Sequence, residues 1–318
     1  MKITTNKHEI NIDLPTLSSE EYLKCKSSEY GWIVDKNYIL AFIIDKRAIF
    51  KRMVFTDKLI TIGNNSIENE QKFLDEMVEC VKKQNICDFI AKPQANVFFN
   101  VYPKNSDYIK WGTYVTDIQK NDEELLRSFH SKHRNVIRKS IKDGVKIEIT
   151  KDLDLVYQNI KETLERQNSL FYPSKEYLNC LKNSNLLLLI AKKDDKLQGS
   201  AVIVYDSVRG YYMYGGSIPR PHTGSVNLLQ YEAMKILRDK GLKKYDFVGA
   251  RLCVEKGSKF EGIQRFKSRF GAELEEGFAF RIVLKPFKYK LFNFVVKNYL
   301  RLKGFYYEDA IDSIKRCK

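Results

Sequence analysis

Short blocks of hydrophobic and polar residues alternate along the first part of the chain. Four apolar runs separated by turn residues occupy residues 31–62, which predicts a meander of antiparallel strands. In residues 66–84 the apolar positions recur every three or four residues, as on one face of a helix. Further strands are expected near residues 86–91 and 112–118. The pattern therefore predicts one α/β unit over residues 1–120.

Residues 121–144 have the charge pattern of one continuous helix. Three acids directly follow Asn121, where the helix dipole favours negative charge. Basic residues dominate the far end, up to Gly144. We therefore predict a basic helix over residues 121–144 that bridges the two halves of the chain.

The second half of the chain repeats the alternation with a defined order of elements. Residues 145–285 predict a strand, two helices, three antiparallel strands, a helix, a strand, a short helix and a last strand. Residues 286–318 predict a basic helical extension. Because 318 residues exceed what one hydrophobic core usually spans, two α/β domains are expected.

The formal net charge of +15 is concentrated in two stretches. Residues 127–146 hold seven Lys or Arg against one acid, and residues 285–303 hold six Lys or Arg and no acid. Each stretch is either a solvated face or a surface for a polyanion, such as nucleotide phosphates, a lipid-linked diphosphate, an anionic membrane or tRNA. Composition alone leaves these alternatives open.

The sequence disfavours membrane-spanning, secreted and metal-dependent proteins. No apolar run approaches the roughly 20 residues of a membrane helix, and the first residues lack the apolar core of a secretory signal. A cytoplasmic protein is therefore expected, with peripheral contact at the inner membrane face. The six cysteines form no C-x-x-C pair and the four histidines no H-E-x-x-H pattern, so no metal site is expected.

Four sequence blocks follow one another in a defined order. They are residues 112–149, which contain R-x-x-I-R-K from Arg134, then YYMYGGS at 211–217, KKYDFVGAR at 243–251 and EGIQRFKSRFGA at 261–272. In this order they resemble the Fem-type aminoacyl transferases, which make amide bonds during bacterial envelope synthesis. The resemblance implies an N-acyltransferase.

The resemblance also implies a fold and a division of the chain. The fold is α/β, with two tandem GNAT-like (acyl-CoA N-acyltransferase) units containing mixed sheets, followed by C-terminal helices. The implied parts are a degenerate N-terminal GNAT-like domain (1–120), the bridging basic helix (121–144), a C-terminal GNAT domain (145–285) and the basic helical extension (286–318).

The sequence departs from the family pattern at two places. The Q-x-x-x-W-x-x-x-K-like block, which contributes a phosphate-binding lysine in Fem-type enzymes that act on peptidoglycan precursors, is absent around Trp32. The Q/R-x-x-G-x-G/A loop that holds the coenzyme A pyrophosphate in GNAT enzymes is replaced by RPHTGS at 220–225. The first departure directs the predicted acceptor away from peptidoglycan.

The candidate catalytic residues are Lys267, Asp246 and Tyr212. Amide formation from an ester or thioester needs a neutral amine, a donor for the oxyanion and a route for the surplus proton. Lys267 matches a lysine to which the resemblance assigns stabilisation of the tetrahedral intermediate, and the alternative is an exposed helical lysine. Asp246 would accept a proton or hold the amine, or else cap the next turn. Tyr212 and Tyr214 are expected to share one face of their strand, where core packing is the alternative role.

The candidate phosphate-binding residues flank the same blocks. The loop around His222 precedes a predicted helix, where free amides and the helix dipole favour an anion, and simple solvation of this histidine is the alternative. The full set comprises Arg220, His222, Arg251, Arg265, Ser217 and Ser225.

The leading functional hypothesis is acyl transfer from acyl-CoA to the amine of a nucleotide-linked amino sugar, in capsule or lipopolysaccharide assembly. The first alternative is Fem-type transfer from aminoacyl-tRNA onto a peptidoglycan precursor. The second alternative is a basic membrane-surface or RNA-binding module, based on the apolar stripe among the lysines of residues 286–303.

Overall fold

The computed structural model of the protein describes residues 1–170 and 172–316. Within these residues the strands are β1 (Lys2–Thr4), β2 (Glu29–Val34), β3 (Tyr38–Arg47), β4 (Phe50–Phe55), β5 (Ile60–Thr61), β6 (Phe89–Ile90), β7 (Asp107–Asp117), β8 (Lys146–Ile149), β9 (Leu186–Lys193), β10 (Lys196–Tyr205), β11 (Arg209–Ser217), β12 (Lys244–Asp246), β13 (Ala250–Arg251) and β14 (Glu273–Val283). The helices are α1 (Glu20–Lys26), α2 (Ile67–Lys83), α3 (Asp122–Ser128), α4 (Ser131–Lys142), α5 (Leu153–Arg166), α6 (Lys175–Cys180), α7 (Ser225–Asp239), α8 (Lys259–Ser268), α9 (Pro286–Leu302) and α10 (Ala310–Lys315). Short 3-10 helices lie at Lys7–Glu9, Thr16–Ser18 and Leu181–Asn183.

The described residues fold into two units. The first unit takes its residues from 1–113, 249–261 and 275–318, and the second from 114–248 and 262–274. The four-part division expected from the sequence stays a prediction. Each unit of the structure combines segments that are not contiguous in the sequence.

The sheet of the first unit has the order β1-β2-β3-β4-β6-β14. Its neighbouring strands are antiparallel except β4 and β6, which are parallel. Alternate residues of β3, among them Leu40 and Phe42, are buried in one cluster with Phe73 and Met77 of α2. The predicted meander is therefore present in β2, β3 and β4, and the predicted helix follows, because period-two and period-3.6 apolar patterns meet in one core. The fourth apolar run forms β5, which pairs with β3 and does not extend the meander.

The C-terminal segments complete the first unit. Ile282 of β14 lies opposite Ile90 of β6, although the sequence grouped residues up to 285 with the second domain. Phe292 of α9 packs against Phe50, with ring centroids 5.4 Å apart. Arg281, only 5% exposed, donates to Asp312 and thereby holds α10. These segments are placed by contacts with residues distant in the sequence, and no local pattern encodes such contacts.

The sheet of the second unit has the order β12-β11-β10-β9-β8, and the end of β7 pairs with β12. The parallel strands β11 and β12 are paired only over Arg209–Tyr211, and beyond that β11 pairs with β10 alone up to Ser217. This divergence opens a V-shaped split between the two strands. The core lies between the sheet and α7, where Leu189, Ile203 and Met234 belong to one buried cluster.

Two helices, α3 and α4, replace the single helix expected over residues 121–144. The capping box at Asn121 is present, but the chain leaves the helical conformation at Phe129 and His130. Phe129 is buried against Phe270, with ring centroids 5.2 Å apart. The backbone N–H of His130 donates to Arg269 O at 2.9 Å, and Nδ1 of His130 caps α4. Tertiary packing of Phe129 therefore overrides the local helical pattern.

Candidate active site

The split between β11 and β12 places a buried ion pair at its base. Asp246, the last residue of β12, is fully buried, and its Oδ2 accepts a hydrogen bond from Arg209 Nη1 at 2.8 Å. Its Oδ1 accepts from the backbone N–H of Val248 at 2.8 Å. Both carboxylate oxygens are therefore engaged, and Asp246 orients the turn that follows it.

Lys267 of α8 reaches this turn from the other side. Its Nζ donates to the backbone carbonyl of Val248 at 2.6 Å. Burial lowers the pKa of Lys267 to about 8, and the negative charge of Asp246 opposes that decrease. The ammonium is therefore the main form at neutral pH, yet it is poised to lose its proton within a short pH interval.

The turn itself is strained. Val248 has a φ of +51°, which is unfavourable for a β-branched residue. Two hydrogen bonds hold it there, one from its N–H to Asp246 and one to its carbonyl from Lys267. Strained backbone of this kind is concentrated at functional sites. A chain of hydrogen bonds therefore holds the lysine ammonium in place. It runs from Arg209 to Asp246, from Asp246 to the backbone of Val248, and from there to Lys267.

Aromatic packing sets the position of α8. Phe270, which follows the helix, is fully buried and stacks on Phe247 with centroids 5.1 Å apart. Phe266 packs edge-on against Phe270, also at 5.1 Å, and His133 lies 4.5 Å from Phe270. The two phenylalanines on either side of Lys267 thus anchor the helix.

The structure corrects the expected arrangement of the two tyrosines in β11. A β-bulge shifts the register with β10, so that Tyr214 lies opposite Val202 and Tyr212 opposite Ile203. Because Val202 and Ile203 are adjacent in β10, the tyrosines occupy opposite faces of the sheet. Burial raises the pKa of both hydroxyls to about 12, so each remains protonated. Tyr212 packs against the second unit's core, with its ring centroid 6.3 Å from that of Phe247.

The loop before α7 holds three of the expected phosphate-binding residues. His222 Nε2 lies 2.9 Å from Asp143 Oδ2, so the carboxylate of Asp143 engages this ring nitrogen and not Nδ1. Arg220 is exposed, with a φ of +53°. Ser225 is fully buried, and its Oγ has no hydrogen-bond partner among the described residues. Gly224 has a φ of +86°, and a Cβ there would lie 2.2 Å from a backbone oxygen of α4, so only glycine fits.

The remaining expected phosphate-binding residues are dispersed. The backbone of Ser217 is tied to Thr163, whose Oγ1 accepts from its N–H at 2.9 Å and donates to its carbonyl at 2.9 Å. Arg265 is exposed on α8. Arg251 belongs to the first unit, where its guanidinium lies 3.8 Å from the centroid of the Phe260 ring.

Within the second unit the candidates therefore form two groups. Asp246 and Lys267 meet at the Val248 turn, whereas the loop before α7 follows the far end of β11. Six residues of extended chain, about 20 Å, separate Tyr211 from Ser217. The loop before α7 and the Val248 turn thus lie at different ends of β11, whereas Arg265 lies on α8 with Lys267.

Three residues of the site could not be identified from the sequence pattern. Arg209 is the first residue of β11 and belongs to no motif, and Val248 contributes only its backbone. His133 is buried beside Phe270 with its Nδ1 unpaired among the described residues. Burial lowers the pKa of His133 to about 4, with further lowering from Arg269 and His130. The sequence offered one signal for Arg209, which is a charged residue at the start of a strand rich in aromatic residues.

No metal cluster is found in the part of the chain that the structure describes, where no three His, Cys, Asp or Glu side chains converge.

The geometry can be compared with known proteins. Residues 174–297, which include Asp246 and Lys267, match the FemAB family. The resemblance to Fem-type transferases is confirmed. One Fem-type relative, the lipid II:glycine glycyltransferase of Staphylococcus haemolyticus (strain JCSC1435), is 25% identical over 54% of this chain and 58% of the relative. The protein of the same name from Staphylococcus aureus (strain USA300) is 24% identical, with the same coverage. The chain thus spans somewhat more than half the length of these Fem-type relatives.

Solved structures support the Fem-type fold. The crystal structure of FemX superposes with a TM-score of 0.66 at 18% identity, covering 92% of this chain and 99% of that chain. The structure of L-PGS from Bacillus licheniformis superposes with a TM-score of 0.51 at 11% identity, covering 82% and 86%. The expected α/β fold of the GNAT type is therefore confirmed.

The predicted donor and acceptor are wrong. The Fem-type relatives are transferases named for glycine transfer to lipid II, so neither acyl-CoA nor a nucleotide-linked amino sugar of capsule or lipopolysaccharide assembly is supported. The prediction relied on a lysine block missing near Trp32, in the first unit. The family match covers residues 174–297, which do not include that block.

Proposed function

We propose that the protein transfers an aminoacyl group from aminoacyl-tRNA to an amine of a lipid-linked peptidoglycan precursor. The observation that carries the proposal is the FemAB match over residues 174–297, because that segment contains the Lys267 and Asp246 arrangement. The names of the relatives support lipid II as the acceptor and glycine as the first aminoacyl group to test.

In the proposed reaction the neutral acceptor amine attacks the ester carbonyl of the donor. The C–N bond forms while the carbonyl oxygen becomes an oxyanion, and collapse of the intermediate breaks the C–O bond to the tRNA ribose. The ribose oxygen leaves with the proton that the amine loses. Lys267 stabilises the oxyanion, because its ammonium is fixed at 2.6 Å from Val248 O and sits at the base of the β11–β12 split.

Asp246 has a positioning role in this proposal. Its two oxygens are bonded to Arg209 and to the N–H of Val248, so it holds the carbonyl that receives Lys267. Because both oxygens already accept hydrogen bonds within the protein, the proposal does not use Asp246 as the proton acceptor. Burial raises the pKa of Tyr212 to about 12, so its hydroxyl stays protonated at neutral pH and does not act there as a phenolate base.

The phosphate groups of tRNA and of the lipid-linked diphosphate are the proposed ligands for the basic candidates. Exposure supports Arg220 and Arg265 as direct contacts. His222 would act together with the start of α7, since one ring nitrogen is already bonded to Asp143. Ser217, Ser225 and Arg251 complete the proposed set.

The test uses the full chain with purified lipid II and glycyl-tRNA. We expect a lipid II product that carries one added glycyl group and survives mild alkali, because an amide is stable under conditions that hydrolyse the tRNA ester. Reactions with uncharged tRNA plus free glycine, and with the Lys267→Met variant, should give no comparable product. Lys82→Met, which changes an exposed lysine of α2, is the matched control. If a complete set of charged tRNAs gives no alkali-stable product, the proposal fails.

A further inference from the structure

Helix α9 is covered on only one side. Phe292 and Leu300 are buried against the first unit, with the Phe292 ring 5.1 Å from that of Phe89. The other side carries large apolar side chains in solvent: Phe287 is 80% exposed and Leu302 is 88% exposed. Phe294, Val295 and Tyr299 are also exposed, as is Tyr306 beyond the helix. Such clustering of exposed apolar residues marks an interaction surface.

Cations accompany these apolar residues. No acid occurs between Lys285 and Tyr307. Lys285 and Lys288 pair with Asp88 at 3.0 and 3.2 Å, and Lys303 lies over the Tyr299 ring at 4.7 Å. The other basic residues of the stretch are Lys290, Lys297 and Arg301, and the described part of the chain offers none of them an acidic partner.

Helical spacing brings the two kinds of residue together. Phe287, Lys290, Phe294, Lys297 and Arg301 follow one another at intervals of three or four residues, so they form one stripe along the helix. Val295 and Leu302 lie beside that stripe on its apolar edge. The exposed side of α9 therefore carries its basic side chains along one edge and its apolar side chains along the other.

A cavity continues the stripe at the end of the helix. Its volume is about 440 Å³, and it is lined by Lys297, Arg301, Gly304, Phe305, Tyr306 and Tyr307. Two cations beside aromatic rings suit a phosphate group with an attached apolar chain. The cavity and the stripe share Lys297 and Arg301, so one ligand surface would occupy both.

The occupant must complement both charge and hydrocarbon. Single-stranded RNA would use the cations and stack on the aromatic rings, but Val295 and Leu302 offer no ring for stacking. An anionic bilayer takes up aromatic and aliphatic side chains in its interface and holds lysine and arginine at its phosphates. No helix in the described residues is long and apolar enough to cross a membrane, so α9 would lie in the interface rather than span it.

We propose that the exposed face of α9, continued to Tyr307, is a docking surface for an anionic lipid bilayer. Phe287, Phe294 and Leu302 enter the interface, and Lys290, Lys297 and Arg301 contact lipid phosphates. This inference goes beyond the proposed aminoacyl transfer and does not depend on it. A Lys267→Met protein without transferase activity should therefore bind vesicles as the parent does.

The test is flotation of the full chain with vesicles of pure phosphatidylcholine or of phosphatidylcholine with about 30% phosphatidylglycerol, a composition in the range of strongly anionic membranes. The parent should bind the anionic vesicles and release them as salt rises. Since each cation near an anionic surface contributes about fivefold, the triple variant Lys290→Gln, Lys297→Gln, Arg301→Gln should bind about a hundredfold more weakly. Phe287→Ser, Phe294→Ser, Leu302→Ser should lose binding even at low salt.

The matched control removes three exposed lysines elsewhere in the first unit, through Lys82→Gln, Lys83→Gln and Lys104→Gln. It changes the net charge equally and should retain vesicle binding within about threefold, since these charges lie off the stripe. Equal loss in the control and the α9 variant would show an unlocalised charge effect and overturn the proposal. The proposal would also be overturned if the folded parent did not bind anionic vesicles, or if it bound single-stranded RNA through these residues instead.

Discussion

Replacing Lys267 by methionine removes one charge and keeps most of the stem's packing. In the proposed mechanism the ammonium meets an oxyanion that exists only while the carbonyl is tetrahedral, so the loss should fall on kcat and leave KM nearly unchanged. Loss of one oxyanion donor typically costs about a hundredfold to a thousandfold in rate. The variant also leaves the Val248 carbonyl without its 2.6 Å donor, so thermal unfolding must be measured beside the kinetics.

The pKa of Lys267 gives this prediction a pH signature. With a pKa of about 8, roughly nine-tenths of the lysine is charged at pH 7 and about one-tenth at pH 9. If the cation is the active form, the rate should fall about fivefold from pH 8 to pH 9 and about tenfold for each further pH unit. A lysine that acted as a base would give the opposite sign, with a rate that rises as the proton leaves.

The Lys267→Arg variant separates this effect from titration of the acceptor amine. Arginine remains charged throughout the interval, so its profile contains the titration of the acceptor but not that of residue 267. The ratio of parent to Lys267→Arg turnover should therefore fall from pH 7 to pH 9. Single-turnover measurements with charged tRNA, corrected for spontaneous ester hydrolysis, give this ratio. A flat ratio, or a Lys267→Met variant with parental kcat, would refute the oxyanion role.

Three further predictions concern the supports of the site. Arg209→Met should destabilise the protein by about 3–5 kcal/mol in chemical denaturation, because it leaves the fully buried Asp246 carboxylate without its guanidinium. His133, with a pKa of about 4, is buried in its neutral form, so the unfolded chain binds the extra proton below pH 6.5. Stability should fall from pH 6.5 to pH 4 by about 3 kcal/mol on this account, and His133→Leu should flatten that slope. Gly215→Ala should cost about 1–3 kcal/mol, because its Cβ would lie 1.7 Å from the Tyr212 hydroxyl.

Each of these variants has a matched control. Arg127→Met breaks an exposed pair with Glu123 and should change stability by less than about 1 kcal/mol. His8→Leu removes an exposed histidine and should leave the acid slope in place. Gly262→Ala adds a methyl group where the structure shows nothing within 4 Å, so it should be neutral or stabilising. Parental stability of Arg209→Met, or an unchanged slope in His133→Leu, would contradict the corresponding argument.

The sequence by itself determined the features that depend on neighbours along the chain. Period-two and period-3.6 apolar patterns gave strands β2 to β4 and helix α2, since a strand or helix displays its own residues at fixed intervals. The helix start at Asn121 formed where the acidic residues indicated it. The family resemblance pointed to Lys267, beside which Phe266 packs against Phe270.

The tertiary structure alone decided the features that depend on residues distant in sequence. Arg209 and Asp246 are 37 positions apart, and their ion pair exists because β11 and β12 are adjacent. Packing of Phe129 against Phe270 splits the expected helix in two, and a bulge in β11 sends Tyr212 and Tyr214 to opposite faces. A local pattern specifies which conformations a segment prefers, but burial and pairing with distant segments choose among them, since these contacts contribute more free energy than propensity does.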